Sequence, residues 1–174
     1  MLGVIRCHSA RCGNLRRGAR FLASHGSTAF PYVVRMPTRW NDNDAFGYVN
    51  NAVYYFYIDT AVNTHLLAHG ITRPRFVAQS SCRYLQPLSY PQDIEVGLSV
   101  AKLGRSSVTY EIGIFSWPAA GVTLGTTSAA SEGRELCATA EFVHVYVDAH
   151  GRPTMLEASV RELLTTLVRP MPAR

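Results

Sequence analysis

The chain has 174 residues, 47% of them hydrophobic and 17% charged, which suits one folded domain with a sizeable core; no apolar run is long enough to span a bilayer. Its net charge of +5 does not mark a nucleic-acid surface, because Arg6, Arg11, Arg16, Arg17 and Arg20 lie in residues 1–30, which hold no acid. Setting those five aside from 17 basic residues leaves 12, matched by 12 acidic ones, so the rest of the chain is formally neutral.

The arginine-rich, acid-free start also carries Ser9, Ser24, Ser27 and Thr28 and lacks the long apolar core of a secretory signal. That composition is expected of a mitochondrial targeting presequence over residues 1–30, directing the protein to the matrix; a disordered basic tail is the alternative. The run Arg20-Phe21-Leu22-Ala23-Ser24 resembles a matrix-processing site. Of four cysteines, Cys7 and Cys12 fall in this leader and Cys82 and Cys137 stand far apart, so no disulfide framework follows. Six histidines show no metal-ligand spacing, and the expectation is chemistry without metal or cofactor.

In chain order, residues 32–40 are β-rich, with Pro31 before them and Pro37 inside, which predicts an edge or bulged strand. A loop follows over residues 41–49. Apolar and aromatic positions from Val53 to Leu67 cover most of a helix circumference, predicting a largely buried helix over 51–69, stopped at Gly70 and excluded by Pro74. Residues 76–85 read as a strand. Strict alternation around Ile94, Val96, Leu98 and Val100, and again around Val108, Tyr110, Ile112 and Ile114, gives two more strands joined as a hairpin by Lys102-Leu103-Gly104-Arg105. Residues 118–133, rich in Ala, Gly, Ser and Thr, read as a mobile loop; 138–147 are a further strand. A short amphipathic helix over 156–167, between Pro153 and Pro170, ends the chain. One buried helix among five strands predicts an α+β fold in which an antiparallel sheet wraps a long central helix. Such a sheet leaves an edge and part of the helix uncovered, which favours pairing with a second copy.

Residues 40–57 concentrate the chemistry. Asp42 and Asp44 precede a glycine turn and the pair Asn50-Asn51, directly before the aromatic helical run. A helix start offers unpaired N–H groups and partial positive charge, suited to a carbonyl oxygen becoming negative, while a neighbouring carboxylate can act as base or nucleophile. The same residues also cap helices and close turns, so on physics alone the capping alternative stays open. At the strand hairpin, Arg105 with Ser106 and Ser107, and Lys102 next, are candidates for binding phosphate or are ordinary turn residues on a solvated surface.

The order Asp42-x-Asp44-x-x-Gly47-x-Val49-Asn50-Asn51-x-x-Tyr54 is similar to the active-site segment of the 4-hydroxybenzoyl-CoA thioesterase-like hotdog family. The resemblance extends through Pro87-Leu88-Ser89-Tyr90-Pro91 and Leu103-Gly104-Arg105-Ser106-Ser107-Val108, covering residues 32–148. It implies a hotdog thioesterase domain over 31–174, acting on an acyl-CoA without a cofactor, since coenzyme A is part of the substrate. It also implies homodimers or homotetramers with sites at the subunit interface. Residue by residue, Asp44 matches the catalytic carboxylate, as nucleophile or general base; the Asn51 N–H matches the oxyanion donor; Gly47 lets the backbone turn toward the substrate. Tyr48 stands where many relatives have histidine. Tyr54, with Tyr55, Phe56 and Tyr57, either lines an acyl pocket or belongs to the core. Asp42 is expected to cap or orient the loop, Asp59 to be structural, and the Asn50 and Asn51 side chains to bind backbone. Two rival readings stay open. A hydratase or dehydratase is disfavoured because no histidine occurs between His25 and His65; a non-catalytic acyl-binding protein would keep the fold without turnover.

Overall fold

The computed structural model describes residues 29–117 and 134–169. Strand β1 (Tyr32–Pro37) leads through a 3-10 turn (Trp40–Asp42) into helix α1 (Val53–Ala68). Four strands follow, β2 (Arg75–Tyr84), β3 (Asp93–Leu103), β4 (Ser107–Trp117) and β5 (Leu136–Tyr146), and then helix α2 (Ala158–Thr165). They form one five-stranded sheet in the order β1-β3-β4-β5-β2, antiparallel at each pairing. Pro37 has no N–H to give a ladder, and β1 is indeed an edge strand. The hairpin between β3 and β4 turns where the sequence places it, closed by the Gly104 N–H on the Ser107 carbonyl at 2.8 Å.

The alternating residues of β3 and β4 all point to one face. Ile94, Val96, Leu98, Val100, Val108, Tyr110, Ile112 and Ile114 are enclosed there with Ala138, Ala140 and Phe142 of β5. Helix α1 lies on this face and contributes Tyr54, Tyr57, Ile58, Ala61, Val62, His65 and Leu66. α2 adds Val160 and Leu164. The hotdog architecture expected from the sequence is therefore the one observed, with α1 as the filling and the sheet as the wrap.

Two expectations need correction. The helix starts at Val53, two residues later than the periodicity suggests, because Asn51 and Ala52 form the turn that precedes it. It is also buried on one side only: the apolar residues spread around its circumference leave Phe56 65% exposed and Leu67 exposed on the face away from the sheet. At the opposite edge of the sheet, β2 is exposed over residues 76–81, with Phe76 and Val77 facing outward. Phe56 and Leu67 of the helix and Phe76 and Val77 of the edge strand have no cover among the described residues.

The other face of the sheet carries a small second core. Phe30, only 5% exposed, packs with Phe115 and Leu136, and its ring lies across Gly97 and Gly113, which oppose each other in register. A Cβ at Gly97 would fall 2.4 Å from that ring, so the close approach requires glycine. Arg169 reaches the same ring, 5.0 Å from its centroid, and pairs with Glu111. Phe30 thus packs into the fold, although the sequence reading assigns it to the leader; the folded region starts before residue 31. Residues 1–28, which hold most of the expected presequence, residues 118–133, expected as a loop, and Pro170 lie outside the described residues.

Candidate active site

The loop between β1 and α1 is built in two halves. In the first, the 3-10 turn buries Asp42, which is 2% exposed. One carboxylate oxygen accepts the Arg39 backbone N–H at 2.7 Å and the Tyr57 hydroxyl at 2.7 Å; the other takes the Arg39 guanidinium at 3.2 Å. Burial, and then the hydrogen bond to Asp42, raises the Tyr57 phenol well above its ordinary pKa, so it remains a donor. Asp42 is structural, as the sequence suggests: it ties the turn to the first turns of α1.

In the second half the chain makes a miniature hairpin, bridged between Asn43 and Val49. The Asp44 N–H donates to the Tyr48 carbonyl at 2.8 Å, and the Gly47 N–H returns to the Asp44 carbonyl at 3.1 Å. Gly47 sits at φ +81°, the left-handed conformation that closes such a turn and that glycine adopts without strain. One oxygen of Asp44 accepts the Phe46 N–H at 2.8 Å, an Asx turn, and the other has no partner among the described residues. Asp44 is half-buried, unlike Asp42, and the aromatic side chains around it face outward: Phe46 is 84% exposed, and Tyr48 is exposed beside it. The hairpin is held from below by the segment before β3, where Leu88 accepts the Val49 N–H at 2.8 Å and the Tyr90 N–H donates to the Asn43 side chain at 3.1 Å. That contact accounts for the second stretch of resemblance, residues 87–91.

The turn into α1 uses its donors unevenly. The Asn50 N–H goes to the Asp42 carbonyl, the Ala52 N–H to the Asn50 side-chain oxygen, and the Val53 N–H to the Asn50 carbonyl, each at 2.9 Å. Between them, the Asn51 N–H has no acceptor among the described residues. A free N–H just before a helix, facing its partial positive end, is what an oxyanion donor requires.

The remaining candidates fall elsewhere. Tyr54 is in the core, its ring edge-on to Tyr57 and to Tyr84, and its pKa is pushed up to about 12 chiefly by burial. Arg105, Ser106 and Ser107 occupy the β3–β4 hairpin; the Arg105 side chain is exposed and has no partner among the described residues. The loop with Asp44 adjoins the start of β3 and Arg105 lies past its end, so the strand's rise separates them by roughly 30 Å. One protomer does not bring them together. Asp59 is exposed on α1. Two residues have roles that the sequence did not suggest. Tyr57 bonds Asp42 across 15 residues, and the Tyr84 hydroxyl donates to the Asn51 carbonyl at 2.9 Å across 33. No local pattern encodes pairs so far apart. Among the described residues no group of three or more His, Cys, Asp or Glu could hold a metal, and no helix is long and apolar enough to cross a membrane.

The family model of the thioesterase superfamily matches residues 46–118, from the Gly47 turn through α1 to β4. Among solved structures, a Pseudomonas aeruginosa protein is 37% identical, with a TM-score of 0.70 over 82% of this chain and 95% of that one. A Thermus thermophilus thioesterase, solved with coenzyme A and zinc, is 27% identical, with a TM-score of 0.63 over 80% and 95%. A variant 4-hydroxybenzoyl-CoA thioesterase bound to 4-hydroxybenzoyl-CoA is 15% identical, with a TM-score of 0.63 over 76% and 97%, and shares the fold. No curated protein matches the chain. The chain belongs to the thioesterase superfamily, as a hotdog-fold thioester hydrolase.

Proposed function

We propose that the protein hydrolyses an acyl-CoA to a free acid and coenzyme A, with the Asp44 carboxylate and the Asn51 N–H as its catalytic groups. The observation that carries this reading is the unpaired Asn51 N–H at the head of α1, in a turn where the N–H groups of Asn50, Ala52 and Val53 are used. Thioester hydrolysis adds water across the C–S bond: the acyl carbon gains oxygen, the sulfur leaves as thiolate and takes a proton. Asp44 serves either by attacking the carbonyl, giving an anhydride that water then opens, or by taking a proton from the attacking water. In both routes the carbonyl oxygen becomes negative, and a preorganised N–H is worth about 3 kcal/mol there. The two neighbours solved with coenzyme A or its ester support CoA as the carrier. No cofactor enters this chemistry.

A second copy completes the site in this reading. The exposed edge of β2 and the exposed Phe56 and Leu67 of α1 are the surfaces it would cover. Antiparallel pairing of two β2 strands reverses one sheet against the other, so the hairpin end of one protomer adjoins the Asp44 end of its partner. That removes the separation seen within one protomer and offers Arg105, Ser106 and Ser107 to the phosphates. Residues 1–28, arginine-rich, would deliver the protein to mitochondria.

The deciding experiment is hydrolysis of acetyl-, octanoyl-, palmitoyl-, benzoyl- and 4-hydroxybenzoyl-CoA, followed by thiol release, with light scattering on the same sample. Turnover of at least one ester by a dimer or tetramer is expected. Absence of turnover across the panel would leave the protein a binder of acyl groups, and an active monomer would remove the interface site.

A further inference from the structure

The turn that presents the Asn51 N–H is held peptide by peptide. The Asn50 N–H is fixed by the Asp42 carbonyl, and the Asn50 carbonyl by the Val53 N–H. The next peptide, between Asn51 and Ala52, is gripped at both ends: its N–H donates to the Asn50 side chain at 2.9 Å, and its carbonyl accepts the Tyr84 hydroxyl at 2.9 Å. Tyr84 comes from the end of β2, and its ring is set by edge-on packing against Tyr54 of α1, with centroids 4.9 Å apart. The clamp is thus anchored in the sheet and the helix, both outside the loop that it steadies.

We propose that Tyr84 is a positioning residue for thioester hydrolysis, its hydroxyl holding the Asn51–Ala52 peptide so that the adjoining Asn51 N–H stays aimed at the developing oxyanion. The inference rests on the reading of Asn51 as the oxyanion donor. Only the two backbone torsions of Asn51 separate the gripped peptide from the one that carries the free N–H, so orientation passes directly between them. A hydrogen bond accepted by the Asn51 carbonyl also polarises the same peptide's N–H and strengthens its bond to Asn50. Catalysis by an oxyanion donor depends on its being in place before charge develops, because reorientation at that moment would cost part of the stabilisation. Although Tyr84 is 43% exposed, partial desolvation foremost pushes the pKa of its phenol up to about 12, so it donates as a neutral hydroxyl across the neutral range.

Tyr84→Phe keeps the ring contact with Tyr54 and removes only the hydroxyl. On the fastest ester of the panel, kcat should fall roughly tenfold, with KM and melting temperature close to wild type. Binding of a trifluoromethyl ketone analogue of acyl-CoA, which forms a tetrahedral oxyanion, should weaken by the same factor; an inert thioether analogue should bind as before. Unchanged kcat would overturn the inference. So would parallel losses of melting temperature, oligomer and thioether binding, which would mark a merely structural contact. Asp44→Asn is assayed alongside: if it keeps its turnover, the reading of the site has failed, whereas its collapse beside an unaffected Tyr84→Phe sinks the Tyr84 proposal alone.

Discussion

The two halves of the loop between β1 and α1 each hold one aspartate, and they treat it in opposite ways. Asp42 is enclosed and receives the Arg39 N–H, the Arg39 guanidinium and the Tyr57 hydroxyl, so its oxygens are committed and no substrate can approach them. Asp44, two residues on, receives one backbone N–H and keeps an oxygen without a described partner at a half-open surface. A carboxylate surrounded by donors stabilises the fold; one left partly unserved has lone pairs to spend on a carbonyl or a water. The number of donors around each group, more than its place in the motif, separates the structural aspartate from the one proposed to react.

The largest effect should come from breaking that asymmetry at Asp44. Asp44→Asn preserves size and the acceptor for the Phe46 N–H but removes the charge, so turnover should drop at least ~100-fold while the melting temperature holds. Kinetics and a melting curve on the same preparation check this. An Asp44→Asn variant near wild-type rate would show Asp44 to be another turn-former.

On the structural side the expected loss is of stability. Asp42→Asn can keep the oxygen that accepts both the Arg39 backbone N–H and the Tyr57 hydroxyl, but it sets an NH2 against the Arg39 guanidinium and so turns a buried charge-assisted network into one with a misplaced donor. Denaturant unfolding should show a loss of about 2 kcal/mol. In the fraction that remains folded, kcat should change by only a few fold, since the Asn50 N–H is held by the Asp42 main-chain carbonyl, which the substitution keeps. If kcat collapsed as far as in Asp44→Asn without unfolding, the two aspartates would share the chemistry.

How much of this was legible in the sequence follows the same division between local and distant. Period-two patterning gave β3 and β4 and the hairpin between them, because a side chain's face in a strand depends only on its own alternation. The Gly47 turn and the Asp42 cap were readable because both contacts close within a few residues. The helix start was misplaced by two residues, since Asn50 and Asn51 carry the turn chemistry of a cap yet the cap geometry needs Asp42 and Leu88 to hold it in place. The one-sided burial of α1 was not readable either: Phe56 and Leu67 are as apolar as the residues that face the sheet, and only the position of the sheet tells them apart. Tyr84 and Phe30 were missed for a similar reason. Their partners, Asn51 and the facing pair Gly97 and Gly113, lie 33 and more than 60 residues away, and a lone aromatic residue in a strand or before one signals nothing beyond core.

The smallest expected effect tests whether the open half of the loop is shaped as finely as the closed half. Gly47 is at φ +81° with open space where a Cβ would go, so Gly47→Ala meets no clash and carries only the intrinsic cost of the left-handed conformation, about 1 kcal/mol. The turn can relieve that strain by opening, because its closing contacts, Gly47 to Asp44 and Asp44 to Tyr48, are surface hydrogen bonds. Opening would swing the Asp44 carboxylate while leaving Asp42, Tyr57 and the helix untouched. Gly47→Ala should therefore lower kcat severalfold with a melting shift of only a few degrees, and Gly47→Asn, which tolerates positive φ better, should recover part of the rate. If both variants lost stability without losing rate, the glycine would serve folding alone, and the geometry that matters for Asp44 would lie in its own backbone bond to Tyr48.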